Sequence, residues 1–183
     1  TLSVHSDAMN KEVQVITICP DKAMAGEKCP VLYLLHGYGG NAGTWLGIKP
    51  ELPQIADKEG IIFVCPDGKN SWYWDSPLNK EYRYETFVSK ELVNYIDKNF
   101  TTKVERGGRA ITGLSMGGHG SLWLSIRHKD VFGGGGSMSG GLDIRPFPNN
   151  WEMKKQLGEE ASNKQRWDEH TVINQLDKIK NGD

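Results

Sequence analysis

The sequence predicts an α/β fold in which helices cover both faces of a mostly parallel sheet. Two observations lead to this prediction. Short apolar runs alternate along the chain with segments of helical periodicity. Between one such run and the helical segment after it, a serine stands in the pattern Gly-x-Ser-x-Gly at residues 113–117. The length of 183 residues and the net charge of −1 suit a single domain, 1–183.

The composition argues against binding to nucleic acid and against insertion into a membrane. The 22 Lys and Arg residues are offset by 23 Asp and Glu residues, and no basic run occurs. No segment reaches the roughly 18 consecutive apolar residues that would span a membrane. The chain begins at Thr1 with no signal peptide in view, and a cleaved one would leave the same start. Both a cytoplasmic and a secreted location therefore stay open.

The three cysteines indicate no metal site, because their spacing is not that of metal ligands. Cys65 lies in the apolar run 61–65 and is expected to be a small buried hydrophobe. Cys19 and Cys29 flank a short connection between two strand-like runs, and their spacing is compatible with a disulfide or with two free thiols. We expect neither a metal nor any other cofactor.

The first part of the chain predicts an antiparallel strand pair followed by a buried strand. Residues 1–5 and 12–19 alternate apolar and other side chains, as strands with one buried face do. Residues 31–35 are continuously apolar, which is typical of a strand buried on both faces of a parallel sheet. This run leads into the glycine-rich segment 36–40, which we expect to form a loop at the carboxyl end of the strand.

The middle of the chain predicts a helix, a strand and a second helix, with an irregular segment between the last two. Residues 48–58 favour a helix whose first turn Pro50 and Pro53 can break. Residues 61–65 predict the next buried strand. Residues 69–84 have no periodicity and carry many aromatic side chains, whereas residues 85–100 repeat apolar side chains every four positions and predict a helix with one buried stripe.

The last part of the chain begins with an apolar strand pattern at 110–114 and a helical pattern at 121–127. The glycine-rich segment 133–141 resembles a flexible linker, but a tightly packed strand and turn is the favoured interpretation. The tail at 151–180 is polar and helical. Its predicted apolar stripe consists of Val172, Ile173, Leu176 and Ile179.

Ser115 is the candidate nucleophile. A serine on a sharp strand-to-helix turn exposes its hydroxyl above the sheet, and its spatial neighbours, Gly113 and Gly117, must lack side chains. The N-terminus of the following helix would lie beside the hydroxyl and favour negative charge there. An ordinary glycine-rich turn is the alternative, but the strand and helix that flank this motif favour a nucleophile. Strand, nucleophile and helix in this order are the pattern of an α/β-hydrolase.

Acyl transfer also needs two donors that stabilise the developing oxyanion. One would be the backbone N–H of Met116, directly after the nucleophile, and the other the N–H of Tyr38 in the glycine-rich loop. His36 lies at the end of a buried strand beside these donors. We expect it to be a structural histidine and not the catalytic base.

The catalytic base and acid are the unresolved part of the site. In this fold, the acid and then the histidine follow the nucleophile in sequence. His119 is only four residues after the serine, and His128 closes the same helix, where a cation is favourable. His170, with Asp168 or Asp143 behind it, is the remaining candidate. No strand precedes it, so we expect no histidine of this chain to reach the nucleophile.

Four motifs, in this order, carry a resemblance to a known family. They are Leu-Leu-His-Gly-Tyr-Gly-Gly at 34–40, Pro-Asp-Gly at 66–68, Asn-Ser-Trp-Tyr-Trp-Asp-Ser-Pro at 70–77, and Gly-Leu-Ser-Met-Gly-Gly at 113–118. The chain resembles the esterase D family of α/β-hydrolases, which includes S-formylglutathione hydrolases, tributyrin esterases, feruloyl esterases and acetyl-xylan esterases, with mycolyltransferases as relatives. The resemblance runs from the first strands to about residue 143.

This resemblance implies that Ser115 is the nucleophile and that the N–H groups of Tyr38 and Met116 form the oxyanion hole. In this family, the acid and the histidine lie on loops after two further strands. The sequence ends at Asp183, before the first of these strands, so we expect a fragment of a longer chain whose last strands are missing.

The aromatic segment offers candidates for substrate binding. Trp72 and Trp74 stand among polar residues, and such rings stack on sugars or phenolic groups while polar neighbours form hydrogen bonds. These rings would equally well cap the edge of the sheet. We add Gly37, since a residue without a side chain lets the substrate approach the backbone.

The function that these residues favour is a serine carboxylesterase acting on short-chain or carbohydrate-linked esters through an acyl-enzyme on Ser115. An acyltransferase on the same fold and a non-catalytic binding module with the same cleft are the alternatives. The sequence does not define the oligomeric state.

Overall fold

The computed structural model describes residues 1–183 and contains one six-stranded sheet with the order β1-β2-β4-β3-β5-β6. The strands are β1 Leu2–Ser6, β2 Lys11–Ile18, β3 Val31–Leu35, β4 Ile62–Pro66, β5 Arg109–Leu114 and β6 Gly134–Met138. Strands β1, β2 and β4 pair antiparallel, whereas β4, β3, β5 and β6 pair parallel. The predicted mostly parallel sheet, with an antiparallel hairpin at its start, is confirmed.

Eight α-helical segments accompany the sheet. They are α1 Asp21–Met24, α2 Thr44–Ile48, α3 Leu52–Glu59, α4 Tyr84–Thr86, α5 Val93–Asn99, α6 Met116–Arg127, α7 Met153–Leu157 and α8 Lys164–Glu169. A π-helical segment, Phe87–Leu92, joins α4 to α5 without a break. Short 3₁₀ turns lie at Arg106–Gly108, Glu160–Ser162 and Val172–Lys178.

The strand register brings three chain segments together at the carboxyl ends of the parallel strands. Leu35, at the end of β3, lies opposite Gly113 of β5, and Leu114 lies opposite Met138 of β6. Because parallel strands end on the same side, the glycine-rich loop after β3, the serine after β5 and the turn after β6 meet there. This is the edge at which open α/β sheets bind ligands.

The apolar core lies on both faces of the sheet. Alternate residues of β3 point to opposite faces, so Tyr33 belongs to a cluster of 31 buried residues and Leu34 to a cluster of six. Helix α6 and the helix from α4 to α5 cover the larger cluster, whereas α3 covers the smaller one.

Two sequence-based expectations need correction. The helix predicted at 48–58 is two helices, because the chain breaks between Ile48 and Leu52, around Pro50. The predicted C-terminal stripe is wrong: Val172 is buried, but its other members, Ile173, Leu176 and Ile179, are 37%, 54% and 48% exposed. Residues Val172–Lys178 form a 3₁₀ segment, whose three residues per turn do not keep side chains at α-helical spacing on one face.

Other expectations are confirmed in their main features. The stripe of the helix predicted at 85–100 is buried at Val88, Leu92 and Ile96, because the wider π-helical turn keeps residues four apart on one face. Its last member, Phe100, is half-buried and follows the end of α5 at Asn99. Cys65 is buried, and the thiols of Cys19 and Cys29 are free.

Candidate active site

Ser115 occupies the sharp turn between β5 and α6. Its backbone lies at φ 56° and ψ −114°, a strained conformation for a residue with a side chain, and Met116 begins the helix. A Cβ atom on Gly117 would collide with the Leu35 carbonyl group, and one on Gly113 would collide with the backbone of Gly117. The two glycines therefore allow the turn to pack against β3, and the predicted strained elbow is confirmed.

The elbow is fixed through its backbone, which leaves the side chain exposed. The Ser115 N–H donates to the Met138 carbonyl oxygen at 2.8 Å, and its own carbonyl oxygen accepts the His119 N–H at 3.0 Å. The residue is exposed, whereas Met116 and Gly117, the first residues of α6, are buried. The hydroxyl thus stands at the surface beside the helix N-terminus, where negative charge is stabilised.

The glycine-rich loop lies directly against the serine. A Cβ atom on Gly37 would be 3.4 Å from the Ser115 Cβ atom and 3.2 Å from the Leu114 carbonyl oxygen. The N–H groups of Tyr38 and Met116 donate to no other backbone group, so both are available to a ligand. That they converge on one oxyanion position stays a prediction.

His36 stabilises this loop. Its side chain is 1% exposed, its Nε2 accepts the Gly68 N–H at 2.9 Å, and its Nδ1 lies 2.7 Å from the Gly37 carbonyl oxygen. Because Nε2 accepts, Nδ1 carries the proton and donates, which makes the ring neutral. The Tyr73 hydroxyl donates to the His36 carbonyl oxygen at 2.9 Å. These contacts are those of a structural histidine.

None of the other histidines hydrogen-bonds to the Ser115 hydroxyl. His5 pairs with Glu12 at 2.8 Å, and His170 Nδ1 pairs with the Arg166 carbonyl oxygen at 2.7 Å while its ring stacks on Trp123. Burial lowers the pKa of His170. The structure therefore does not bring His170 to the nucleophile.

His119 is enclosed by three indole rings. Its ring centroid lies 5.1 Å from those of Trp72 and Trp74 and 6.2 Å from that of Trp123. Burial lowers its pKa to about 3, so the ring is neutral, and neither ring nitrogen has a hydrogen-bond partner. It packs the aromatic segment against α6.

Glu85, which no sequence pattern singles out, joins two helices at the far end of α6. Its carboxylate accepts Trp123 Nε1 at 3.1 Å, Arg127 Nε at 2.9 Å and His128 Nε2 at 2.7 Å. Burial alone would raise its pKa, but His128 and Arg127 outweigh this effect and hold the pKa below its ordinary value. The cluster borders a cavity of about 690 Å³, lined almost wholly by polar side chains. The Arg127 and His128 side chains of the cluster come from the C-terminal end of α6, whereas Ser115 precedes its first residue.

A smaller cleft of about 210 Å³ opens at Ser115. Its lining consists of Tyr38, Trp72, Ser115, Ser139, Gly140, Gly141 and Trp151. Trp72 reaches it, but Trp74 does not, because the Trp74 side chain is completely buried beneath Trp72 and His119. No sequence motif singles out Trp151, which is a lone aromatic residue at the start of the polar tail.

Backbone strain is concentrated around this cleft. Eight non-glycine residues have positive φ angles, and four of them line the cleft. These four are Trp72 at 57°, Ser115 at 56°, Ser139 at 53° and Trp151 at 50°. Left-handed conformations of such residues each cost about 1–3 kcal/mol and cluster at functional sites. The residues with strained backbones therefore lie in the cleft that contains Ser115.

No group of His, Cys, Asp and Glu side chains in the structure is arranged to hold a metal ion. No helix has the length and apolar character to cross a membrane.

Comparison with known proteins supports an esterase relationship. The chain is 29% identical over 151 residues to an acetyl esterase of Caldicellulosiruptor saccharolyticus, covering 78% of this chain and 56% of that protein. A solved ferulic acid esterase superposes with a TM-score of 0.75 and 26% identity, covering 98% of this chain and 71% of that one. The chain thus spans about half the length of the curated relative and more of the solved one.

The fold has a further match in a fluorophosphonate-binding serine hydrolase of Staphylococcus aureus, with a TM-score of 0.81 and 20% identity. The match covers 97% of this chain and 71% of that one, and shows that the fold is that of an α/β-hydrolase. The family described as Putative esterase matches residues 6–182. The chain therefore belongs to this esterase family.

Proposed function

We propose that this protein is a serine carboxylesterase. The Ser115 hydroxyl attacks the carbonyl carbon of an ester, the alcohol leaves, and water then releases the acid from the acyl-enzyme. The N–H groups of Tyr38 and Met116 donate to the oxyanion that forms at each step. The observation that carries the proposal is the exposed and strained Ser115 at the N-terminus of α6, in a cleft whose lining shares this strain.

The cleft favours a short acyl group. Its volume of about 210 Å³ lies below the roughly 300–1,000 Å³ of typical ligand pockets. Trp72 forms one wall, and a Cβ atom on Gly141 would lie 3.4 Å from its ring, so the cleft is narrow there. The acetyl esterase among the relatives fits a short acyl group.

We further propose that the base and its acid come from residues outside these 183. A serine hydroxyl needs an adjacent base to become nucleophilic. All five histidines here have other surroundings: three are paired elsewhere, His36 supports the glycine-rich loop and His119 lies among indoles. A histidine brought over Ser115 by another segment would complete the site.

Fluorophosphonate labelling of the longer protein that carries the proposed base, followed by peptide mass spectrometry, tests the proposal. We expect one covalent adduct, on Ser115. Ser115→Ala removes the label, whereas the matched control Ser139→Ala, in the same cleft, keeps it. An adduct on another serine would contradict the assignment.

The same experiment separates the two alternative functions. A protein that binds esters but is never labelled would be a binding module. A labelled enzyme that transfers its acyl group to added alcohols faster than to water would be an acyltransferase.

A further inference from the structure

The loop that carries the Tyr38 N–H is a tight turn, and its first peptide group is fixed by two contacts. The Gly37 carbonyl oxygen accepts the Gly40 N–H at 3.0 Å and lies 2.7 Å from His36 Nδ1. Gly39 has a φ angle of 77°, as the third residue of a type II turn does. Because the Gly37 carbonyl group and the Tyr38 N–H belong to one planar peptide group, these contacts also orient that N–H.

The second peptide group of the turn joins Tyr38 to Gly39 and is held by a side chain from another loop. Asn70 Oδ1 accepts the Gly39 N–H at 2.8 Å. Type I and type II turns differ mainly in the orientation of this middle peptide group, so a bond to its N–H selects one of them. Tyr38 therefore stands between two fixed peptide groups, the first held within the glycine-rich loop and the second held by Asn70.

Asn70 is oriented by Glu152, which comes from the segment that also supplies Trp151 to the cleft. Glu152 Oε2 accepts Asn70 Nδ2 at 3.1 Å, and Glu152 Oε1 accepts Lys155 Nζ at 2.5 Å. These hydrogen bonds, that of Lys155 first, hold the pKa of Glu152 below its ordinary value, so the carboxylate is ionised at neutral pH. An ionised carboxylate can only accept. It therefore draws the NH₂ group of the Asn70 amide toward itself, which leaves the amide oxygen for the Gly39 N–H.

The backbone of Glu152 is itself held in place. Trp151 and Glu152 both have left-handed conformations, with φ angles of 50° and 57°, and such strain persists only where surrounding contacts maintain it. The Trp72 indole donates to the Trp151 carbonyl oxygen at 3.1 Å, and Met153, the next residue after Glu152, is completely buried. Strain is thus maintained at the residue that orients Asn70, outside the four sequence motifs that carry the family resemblance.

We propose that Glu152 is a positioning residue for the oxyanion hole. Through Asn70 and Gly39 it fixes the direction of the Tyr38 N–H, without touching the substrate itself. This inference rests on the proposed function, which assigns the Tyr38 N–H to the oxyanion. The alternative is that these bonds only fasten the segment 151–155 to the surface. Their loss would then change stability alone, whereas a displaced oxyanion donor lowers kcat with little change in KM.

Kinetics of the longer protein that carries the proposed base test the inference, with p-nitrophenyl acetate as the substrate. Glu152→Ala should lower kcat at least about ten-fold and change KM less than about two-fold, because one donor is displaced and not removed. Glu152→Gln, which keeps an oxygen that can accept from Asn70, should recover part of the kcat. The matched control is Glu159→Gln, since Glu159 is a surface carboxylate that pairs with Lys154 at 3.3 Å. This variant should leave kcat and KM unchanged.

A reciprocal pair of substitutions separates the hydrogen bond from a general effect on folding. Asn70→Asp places a second carboxylate against Glu152 and should lower kcat at least as much as Glu152→Ala does. Adding Glu152→Gln to the Asp variant restores the bonding pattern, because the Gln amide can donate to one Asp oxygen while the other accepts the Gly39 N–H. We expect the double variant to regain kcat to within about three-fold of the unmodified enzyme.

Amide hydrogen exchange of Gly39, followed by NMR on the same proteins, reports on the turn without any turnover. We expect this exchange to be at least about ten-fold faster in Glu152→Ala than in the unmodified protein. A kcat that Glu152→Ala leaves unchanged, or that falls only with the folded fraction measured by urea unfolding, would overturn the inference. Failure of fluorophosphonate labelling would refute the proposed catalysis. In that case, equal Gly39 exchange in the two proteins would overturn the positioning role as well.

Discussion

At the scale of single residues, the site depends as much on absent side chains as on present ones. Gly117 allows α6 to approach β3, and Gly68 and Gly120 leave space that the ring of Tyr73 fills. Tyr73 is itself in a left-handed conformation at φ 59° and completely buried. The strain around the cleft is thus maintained by packing beneath it, which lets the surface residues keep positions suited to a ligand.

Gly117→Ala should destabilise the protein by about 2–3 kcal/mol, since the new methyl group would overlap backbone atoms that cannot move away. Urea unfolding measures the change. The matched control is Gly47→Ala, where nothing lies within 4 Å of the new Cβ atom. Because Gly47 lies within α2, this variant should gain about 0.5–1 kcal/mol. Equal stability of the two variants would argue against close packing at the elbow.

Ser115→Ala should lower the hydrolysis of short p-nitrophenyl esters by the complete enzyme by at least about a thousandfold. The free energy of unfolding should change by less than about 0.5 kcal/mol, because the side chain is small and exposed. Kinetic assays and urea unfolding on the same sample give both quantities. Turnover that survives the substitution would place the chemistry at another residue.

At the scale of elements, the sequence predicts what local pattern controls. The sequence alone predicts the strands, the elbow at Ser115 and the buried stripe of the helix after Tyr84, because each follows a simple period or a steric rule. The burial of Trp74 and the role of Glu85 are not readable, since both depend on contacts with α6, more than 30 residues later in the chain. The tail around Leu176 misleads, because four apolar residues at helical spacing mimic a buried face. In all three places, contacts between residues distant in the chain determine which side chains are buried.

Glu85→Gln should destabilise the protein by about 2–3 kcal/mol at pH 7, since it leaves the half-buried Arg127 guanidinium without its counter-charge and weakens the hydrogen bond to His128. The folded pKa of Glu85 is below the unfolded value, so its contribution is present above the unfolded pKa and is lost as the pH falls through the folded pKa. Stability measured by urea unfolding from pH 7 to 3 should therefore fall less steeply in the variant.

The control for this prediction is Glu59→Gln. Glu59 pairs with Lys58 at 3.8 Å at the surface, where such pairs contribute at most about 1 kcal/mol. Its pH profile should follow that of the unmodified protein. A Glu85 variant with the same stability and the same profile would show that the cluster does not join the helices.

At the scale of the whole molecule, the site lies where the two cores meet. The sheet separates a large cluster under α6 from a small one under α3, and the elbow stands at the edge of the sheet between them. The same arrangement leaves β6 as an edge strand, beside β5, which carries Ser115 at its end. Its residues, four of them glycine or serine, are exposed or half-buried. This edge carries none of the charged side chains that usually protect edge strands.

Hydrogen exchange should reveal β6 as an open edge. Amides of Gly134–Met138 that do not pair with β5 face solvent and should exchange within the dead time of the measurement, whereas amides of the central strand β3 should be protected. Exchange followed by NMR on the 183-residue chain resolves the two strands.

Strand β1, the other edge strand of the sheet, is the matched control, because it too pairs on one side only. Its unpaired amides should exchange like those of β6. Protection throughout β6 that is lost on dilution would instead show that a second copy covers the edge, and protection at all concentrations would contradict the prediction.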